Sequence, residues 1–401
     1  MVEWGVRRIS TVDDSAVLHH QYLVVFRAGS ASIVPWGRGL QVNALHLDGR
    51  SVITIRTRYV DKGLESPLPG DLWVEVKGDA ESIEHAVSTM GSAAATILTV
   101  VAFATNAAIG DMEPELAFDC TPGVKERAFL QSLLPEERPI LGRGRRVPDD
   151  AVYALMWAIE GYRAAHGEFE RLIRAMAQYR LALNHWKWGH ETMSTAHLYM
   201  GMEALTKVVL RKRLLESNSS EEELAREMGI DPMSLGPGER LSTLLDAAIR
   251  RKVLFCGDDE CHRSAKKASD GFEHGFMPFE EVREHALLVR DKTAAYLRTA
   301  ILDLLEKELG QEHREALLSP PFSKPIGKWP LVKYARGELV GEADALADAE
   351  MEYPLMKWRS AIKAAQMDED GEYQLVVEET LSPRLGDGVQ FRLKSFEVWQ
   401  P

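Results

Sequence analysis

The chain has 401 residues, a formal net charge of −13 and an apolar fraction of 45%. This length exceeds what one hydrophobic core usually organises, so two or three domains are expected. The acidic balance disfavours broad non-specific binding to nucleic acid, because phosphate backbones are themselves anionic. The three cysteines, Cys120, Cys256 and Cys261, are too few for a disulfide framework. A reducing, cytoplasmic location is therefore expected.

The first part of the chain predicts β-strands. Short runs rich in β-branched and aromatic residues occur at 22–26, 40–47, 51–60, 72–76 and 115–120. Asp48-Gly49 separates the second run from the third, which is a strong signal for a β-hairpin. The N-terminal region is therefore predicted to be β-rich.

One predicted helix in this region carries a long uncharged run. Residues 86–110 contain no charged side chain, and the helix is predicted to start near Ser82 and to run to about Ile109. Its length would suit a bilayer span. Its Ala, Gly, Ser and Thr residues allow close packing in a protein interior, and the polar ones weaken insertion into lipid. We expect a buried central helix, and neither a membrane span nor a signal peptide.

A linker is predicted between Pro135 and Pro148, where Pro, Gly and Arg are frequent. Its arginines are Arg138, Arg143, Arg145 and Arg146. They fit a solvated linker better than the alternative, a small phosphate-facing patch. The first domain boundary is placed here.

The apolar spacing becomes helical after this linker. Helices are predicted at 153–183 (one long helix or two in line), 192–215, 220–228, 239–253 and 278–309. Beyond them, a helix interrupted near Pro354 is predicted at 341–366, and strands at 373–378 and 389–399 around Gly386-Asp387-Gly388. The predicted fold class is α+β. Its predicted domains are a β-rich domain with a buried helix (1–137), a helical bundle (148–310) and a mixed α/β segment (311–401).

Cys256, Cys261 and His262 form a candidate metal constellation. Two thiols and an imidazole are zinc ligands, but the cysteine spacing is longer than structural zinc sites use. A fourth ligand would have to come from Cys120 or His285. The alternative is an acidic loop that joins two helices and carries its cysteines incidentally, and we expect no metal and no cofactor.

The segment His185-Trp186-Lys187-Trp188-Gly189-His190 is a second unusual constellation. Two indoles beside two imidazoles and a lysine could stack a base and contact phosphate. Packing at a helix junction is the favoured alternative. The sequence contains no glycine-rich nucleotide loop and no nucleophile elbow.

Three motifs resemble the HEPN superfamily, in particular its ApeA-like branch. They are the helix 196–205 with its acidic Glu203, the pair His274-Gly275, and the long helix 280–305. The resemblance spans residues 80–310. It implies a β-rich N-terminal region, a helical domain that pairs with a second copy as a homodimer, and a link to bacterial stress or phage defence.

The resemblance also implies a site. Active members cleave RNA without metal, using a histidine and an arginine five residues before it that acts on the phosphate. Here the histidine is His274 and the acidic residue is Glu203, whereas the arginine position holds Ser269 and the next position Asp270. A serine cannot neutralise a charged phosphorane, and an aspartate would repel it.

Lys267 is the predicted replacement for the missing cation, with Arg263 as a second choice. Lys267 lies two helical turns, about 10 Å, before His274, and Gly271 between them weakens the helix. The alternatives to catalysis are a capping or core histidine at 274 and an intrabundle ion pair at Glu203.

Three functional hypotheses follow from the sequence. The leading one is a degenerate HEPN-type module that binds RNA, a nucleotide or a protein partner. The first alternative is an active metal-independent ribonuclease that uses His274 with Lys267. The second is a structural interaction scaffold, which would show an apolar bundle face and no basic cleft.

Overall fold

The computed structural model describes residues 20–43, 51–60, 63–123, 128–131, 144–165, 167–187, 189–236, 238–318, 325–326, 332–340, 355–367, 373–384, 388 and 390–399. Over these residues the chain has the predicted α+β fold. A six-stranded antiparallel sheet comes first, a succession of helices follows, and two antiparallel strand pairs lie towards the C-terminal end.

The N-terminal sheet contains the predicted strands. The strands described in this half are β1 (His20–Ser30), β2 (Ser32–Ile33), β3 (Leu40–Asn43), β4 (Val52–Val60), β5 (Leu68–Ala80), β6 (Ile109–Asp119), β7 (Phe129–Gln131) and β8 (Arg145–Arg146). The sheet order is β3-β4-β5-β1-β6-β7, and β2 pairs in parallel with β8 outside it. β3 and β4 are antiparallel neighbours, as a hairpin requires, while Asp48-Gly49 lies outside the described residues.

The helix that carries the uncharged run, α1 (Ile83–Thr105), has Glu84 in its exposed first turn and is buried as predicted over its C-terminal half. Ser82 caps its first turn by accepting a hydrogen bond from the backbone N–H of His85, and Asn106 ends it in the left-handed region at φ 50°. In the described part of the chain, α1 is the helix that is long and apolar enough to cross a membrane. Of its most apolar window, 61% is buried inside the protein. It packs on β1, β5 and β6.

The second half begins with a helical assembly. Its described helices are α2 (Asp149–Ala165), α3 (Phe169–Asn184), α4 (Glu191–Ser217), α5 (Glu221–Glu227), α6 (Leu241–Ile249), α7 (Asp259–His274), α8 (Phe279–Leu309) and α9 (Gln311–Leu318). A 3₁₀ turn (Pro232–Ser234) precedes α6, and a π-helical segment (Arg250–Leu254) continues it. The region predicted at 153–183 is two helices, and α3, α7 and α8 all pack on α4.

Two buried arginines connect the sheet layer to the helices. Arg180 of α3 donates to the carbonyls of Ile109 and Gly110, at 3.0 and 2.5 Å. Arg298 of α8 donates to the carbonyls of Phe103 and Ala104 at the C-terminal end of α1. A cation suits the position of Arg298, because the last carbonyls of a helix lack intrahelical donors and form the negative end of the helix dipole.

The predicted linker is only partly described. Arg138 and Arg143 lie outside the described residues. Arg145 is buried, and its Nη1 donates to the carbonyl of Thr105 at 3.4 Å, so this arginine is structural. Arg146 is exposed. The domain boundary stays a prediction, and the buried apolar side chains of sheet, α1 and bundle form one continuous cluster.

The C-terminal segment differs from its prediction. Its described strands are β9 (Val332–Val340), β10 (Leu355–Met367), β11 (Tyr373–Arg384) and β12 (Gln390–Trp399). The helix predicted at 341–366 is wrong where the chain is described, since 355–366 belongs to β10, which pairs with β11. Ala, Met, Lys and Gln favour a helix by propensity, but pairing with a neighbouring strand overrides that preference. The two predicted strands exist, and β12 pairs with β9.

Candidate functional site

Helix α7 carries most of the predicted site and is continuous through Gly271. Asp258 caps its start by accepting a hydrogen bond from the backbone N–H of Cys261 at 3.0 Å. A Cβ at Gly271 would lie 2.7 Å from Cγ2 of Val282, so glycine allows α7 to approach α8 closely. The helix ends at His274, and Gly275 follows in the left-handed region at φ 64°. Gly271 therefore serves packing and does not break the helix.

The position of the missing arginine is buried. Ser269 is 1% exposed, and its Oγ donates to Oε1 of Glu273 at 2.8 Å. The next residue, Asp270, pairs with Lys266 of the same helix at 4.0 Å. The C-terminal half of α7 thus places two carboxylates near the site where the resemblance implies a phosphate-binding cation.

His274 and Lys267 are not joined by any contact. His274 is exposed and stacks on the ring of Phe276, with ring centroids 6.4 Å apart. Lys267 is exposed as well. Within the described residues, neither side chain has a hydrogen bond or an ion pair. Their catalytic roles remain predictions.

Glu203 lies on α4 and pairs with a cation from another element. Its Oε1 accepts a hydrogen bond from Nη1 of Arg250, in the π-helical segment, at 3.2 Å. Partial burial raises the pKa of Glu203, and the carboxylates of Glu273 and Asp270 raise it further, while Arg250 opposes them. The fold thus brings Glu203 close to the end of α7. Glu203 forms the intrabundle ion pair that is the alternative to a catalytic role.

Three residues in or around the ion pair of Glu203 and Arg250 were not assigned to this site from the sequence. They are Tyr199, Arg250 and His262, and with Glu203 we call them the Glu203 cluster. The imidazole centroid of His262 lies 6.4 Å from the ring of Tyr199. Burial lowers the pKa of His262, and Arg250 lowers it further. Burial raises the pKa of Tyr199 to about 12.

The Glu203 cluster is a partly satisfied polar network, because Nη1 of Arg250 is bound to Glu203 whereas its buried Nε has no hydrogen-bond partner among the described residues. A neutral imidazole and a carboxyl with a raised pKa can each move a proton, but His262 contacts Tyr199 and no contact joins it to Glu203 within the described residues. However, Glu203 already neutralises Arg250, so an incoming anion would compete with that carboxylate. No sequence signal identified Arg250, because it becomes relevant only through the packing of the π-helical segment against α4. π-helical segments are frequent at functional sites.

The two cysteines proposed as zinc ligands lie in different environments. Cys256 is exposed, whereas Cys261 is buried with its Sγ 3.7 Å from Oγ1 of Thr293. Among the residues that the structure describes, no group of three or more His, Cys, Asp or Glu side chains is arranged to hold a metal. The acidic loop instead organises α7, because Asp258 also accepts hydrogen bonds from Lys292 and Tyr296, at 3.3 and 3.1 Å.

The aromatic turn between α3 and α4 packs at a helix junction, which was the favoured alternative. Trp186 is 6% exposed, and the guanidinium of Arg290 lies 4.3 Å from its ring centroid. Trp188 lies outside the described residues. An indole covered in this way leaves no open face for a base.

Large apolar side chains are exposed on α7, on α8 and in the turn between them. They are Phe272, Phe276, Phe279, Leu287 and Leu288, with exposed fractions from 43% to 74%. Exposed apolar groups that lie close together mark interaction surfaces more often than single exposed ones do. Exposed apolar side chains on the bundle are the feature that the interaction-scaffold hypothesis expects, and that hypothesis stays a prediction.

Comparisons with known proteins add no relative. No family model, curated protein or solved structure matches the chain. The resemblance to HEPN proteins therefore rests on the motifs around Glu203 and His274.

Proposed function

We propose that the chain is a non-catalytic, degenerate HEPN-type module of the bacterial cytosol, and that its bundle binds a second copy of the chain. The observation that carries this proposal is Ser269, which is buried and donates to Glu273 where the resemblance implies an arginine. The resemblance supports a role in stress or phage defence.

The charges near His274 argue against phosphate chemistry. Metal-independent cleavage needs a cation against the charge that develops on phosphate. Asp270 and Glu273 carry the opposite charge on the same stretch of α7. The nearby cations Arg250 and Lys266 are already paired with carboxylates. The phosphates of RNA or of a nucleotide would therefore compete with Glu203 and Asp270 for these two cations. A protein partner is favoured.

The exposed face of α8 is complementary to itself. Leu288 is 74% exposed on this face, and the neighbouring Leu287 is 52% exposed. If two copies of α8 cross antiparallel about Leu288, Glu284 of one copy faces Lys292 of the other, since each lies four residues from the centre. All three positions lie on the same exposed face of the helix. Two-fold interfaces use the same patch on both subunits, and this face meets that condition.

The catalytic part of the proposal is tested with labelled total RNA. Purified protein is incubated with and without a chelator, and His274→Ala is assayed beside it. We expect no cleavage by either protein. Chelator-resistant cleavage that disappears in His274→Ala would make the chain a ribonuclease. Binding of RNA without cleavage that is lost in Arg250→Gln would identify RNA as the partner instead.

The dimer is tested by light scattering after size-exclusion chromatography. We expect the wild type to be dimeric and Leu288→Glu to be monomeric. Met233→Glu is the matched control, because Met233 is 88% exposed in the 3₁₀ turn and its change should leave the dimer intact. A wild type that is monomeric at every concentration, or a Leu288→Glu protein that stays dimeric, would contradict the proposed interface.

Charge reversal sharpens this test. Glu284→Lys alone should weaken the dimer, because two lysines would then face each other across the axis. The double variant Glu284→Lys, Lys292→Glu should restore it. Restoration would exclude general unfolding as the cause of the first effect. Lys292 also donates to Asp258 of its own chain at 3.3 Å, so Lys292→Ala is the control for loss of that bond. If the double variant is as stable as Lys292→Ala and still does not dimerise, the interface lies elsewhere.

A further inference from the structure

Three imidazoles stack where α3 meets α4, a feature that the proposed function does not use. His185 directly follows α3, His190 directly precedes α4, and His197 lies in the second turn of α4. The ring of His185 is nearly parallel to both others, at 14° to His190 and 5° to His197. The ring centroids are 5.6 and 5.5 Å from that of His185. We call these residues the histidine stack.

The hydrogen bonds of the histidine stack depend on its protonation. Nδ1 of His185 lies 3.4 Å from Nδ1 of His190, so one nitrogen donates while the other must be deprotonated and accept. Nδ1 of His197 lies 2.8 Å from Oε1 of Gln178, to which it can donate. If His185 and His190 were both charged, two N–H groups would point at each other. The contact across the turn therefore tolerates one charged ring and not two.

Among the described residues, three charged side chains act on the histidine stack, and they are Asp111 from β6, Lys187 from the turn and Glu191 from α4. Three arginines lie next to those groups or to the turn: Arg180 interacts with Asp111, Arg283 with Glu191, and Arg290 with Trp186. Glu191 is also engaged already, since it accepts from the backbone N–H of Gly189 at 3.0 Å and lies 3.6 Å from Arg283. Asp111 is thus the main group that favours a charge on His185.

The surroundings keep the stack neutral near pH 7. Burial lowers the pKa of His185, and His190 and Lys187 lower it further, while Asp111 opposes them. Burial and Lys187 likewise lower the pKa of His190, while Glu191 opposes them. Burial and His185 lower the pKa of His197. Acidification is therefore needed before a second ring becomes charged.

We propose that the histidine stack is a pH-operated latch, which holds the α3–α4 turn closed while His185 and His190 share one Nδ1 proton and releases it when both are charged. The turn also contains Trp186, which is buried beneath Arg290 of α8. Release of the latch uncovers Trp186 and loosens the contact between the α3–α4 hairpin and α8.

Hydrogen–deuterium exchange of peptides covering 184–191 tests the latch. Exchange is compared at about pH 7 and about pH 5, the interval in which histidines titrate, after correction for intrinsic rates. The equilibrium constant for opening of the turn should rise as pH falls, by up to about tenfold per pH unit for each proton that opening takes up. The double variant His185→Asn, His190→Asn should lose this dependence, and His274→Asn, on an exposed histidine, should retain it.

Two results would overturn the latch. One is equal corrected exchange of the turn in the wild type at both pH values. The other is an undiminished pH dependence in the double variant. If the double variant does not fold, NMR titration of the wild-type imidazoles decides, because coupled rings titrate in separate steps. Three independent titrations near the ordinary histidine pKa would exclude the latch.

Discussion

Arg298→Met is expected to be among the most destabilising single changes in the chain. The guanidinium is 2% exposed and lies 4.7 Å from the ring centroid of Phe103. It donates to carbonyls at the end of α1 and, at 2.9 Å, to the carbonyl of Leu317 in α9. Methionine preserves much of the aliphatic volume and removes every one of these donors. The change therefore isolates the polar contribution.

The expected magnitude follows from the acceptors that lose a donor. The carbonyl of Phe103 keeps a second donor, the backbone N–H of Asn106 at 3.2 Å. The carbonyls of Ala104 and Leu317 lose a charged donor, and an unsatisfied buried acceptor costs about 1–3 kcal/mol. Two such carbonyls give a loss of about 2–6 kcal/mol. Relief of the guanidinium desolvation reduces this figure, so we expect about 2–4 kcal/mol.

Urea denaturation, followed by circular dichroism and by fluorescence, measures this loss. The matched control is Arg314→Met, which removes a partly exposed arginine paired with Asp303 at 2.9 Å. A pair near the surface contributes about 0.2–1 kcal/mol. If Arg298→Met lowers the free energy of unfolding no more than Arg314→Met does, with unchanged dependence on urea, the buried guanidinium is not an important link between α1 and α8.

Three further predictions concern stability. Burial keeps the histidine stack neutral, so the unfolded chain binds more protons than the folded chain below about pH 6.5. The free energy of unfolding should therefore decrease as pH falls through that value. Urea denaturation at several pH values measures this for the wild type and for His185→Asn, His190→Asn. Gly271→Val should cost about 1–3 kcal/mol by crowding Val282, measured by thermal denaturation. Ser220→Ala removes the acceptor for the backbone N–H of Glu223 and should cost about 0.5–2 kcal/mol, measured by urea denaturation.

Local signals made the helix starts predictable. Ser82 and Ser220 precede their helices and cap them through their side chains, as serine does at the N-cap. Such signals act within a few residues, so they can be recognised without knowledge of the fold. The uncharged run from residue 86 onward likewise indicated, before its neighbours were known, that α1 is buried.

Non-local contacts explain what the sequence did not reveal. β10 is rich in residues that favour a helix, and it is a strand because β11 pairs with it. Arg250 and Arg298 have no motif around them. The first matters because Glu203 lies opposite, and the second because α1 ends beside α8. The absence of an arginine at 269 was visible from the sequence, but the bond from Ser269 to Glu273 required the helix geometry.

The position of α1 limits how this protein can be divided. α1 is a layer common to both halves, with the sheet on one side and α2 and α3 on the other. A bundle separated from it would retain Arg180 and Arg298 but lose their carbonyl acceptors on α1 and β6. Two buried guanidinium groups would then lack those partners. The N-terminal half is consequently no interchangeable module. Gene fusions and domain exchanges are expected to preserve the sheet, α1 and the bundle as one inherited unit.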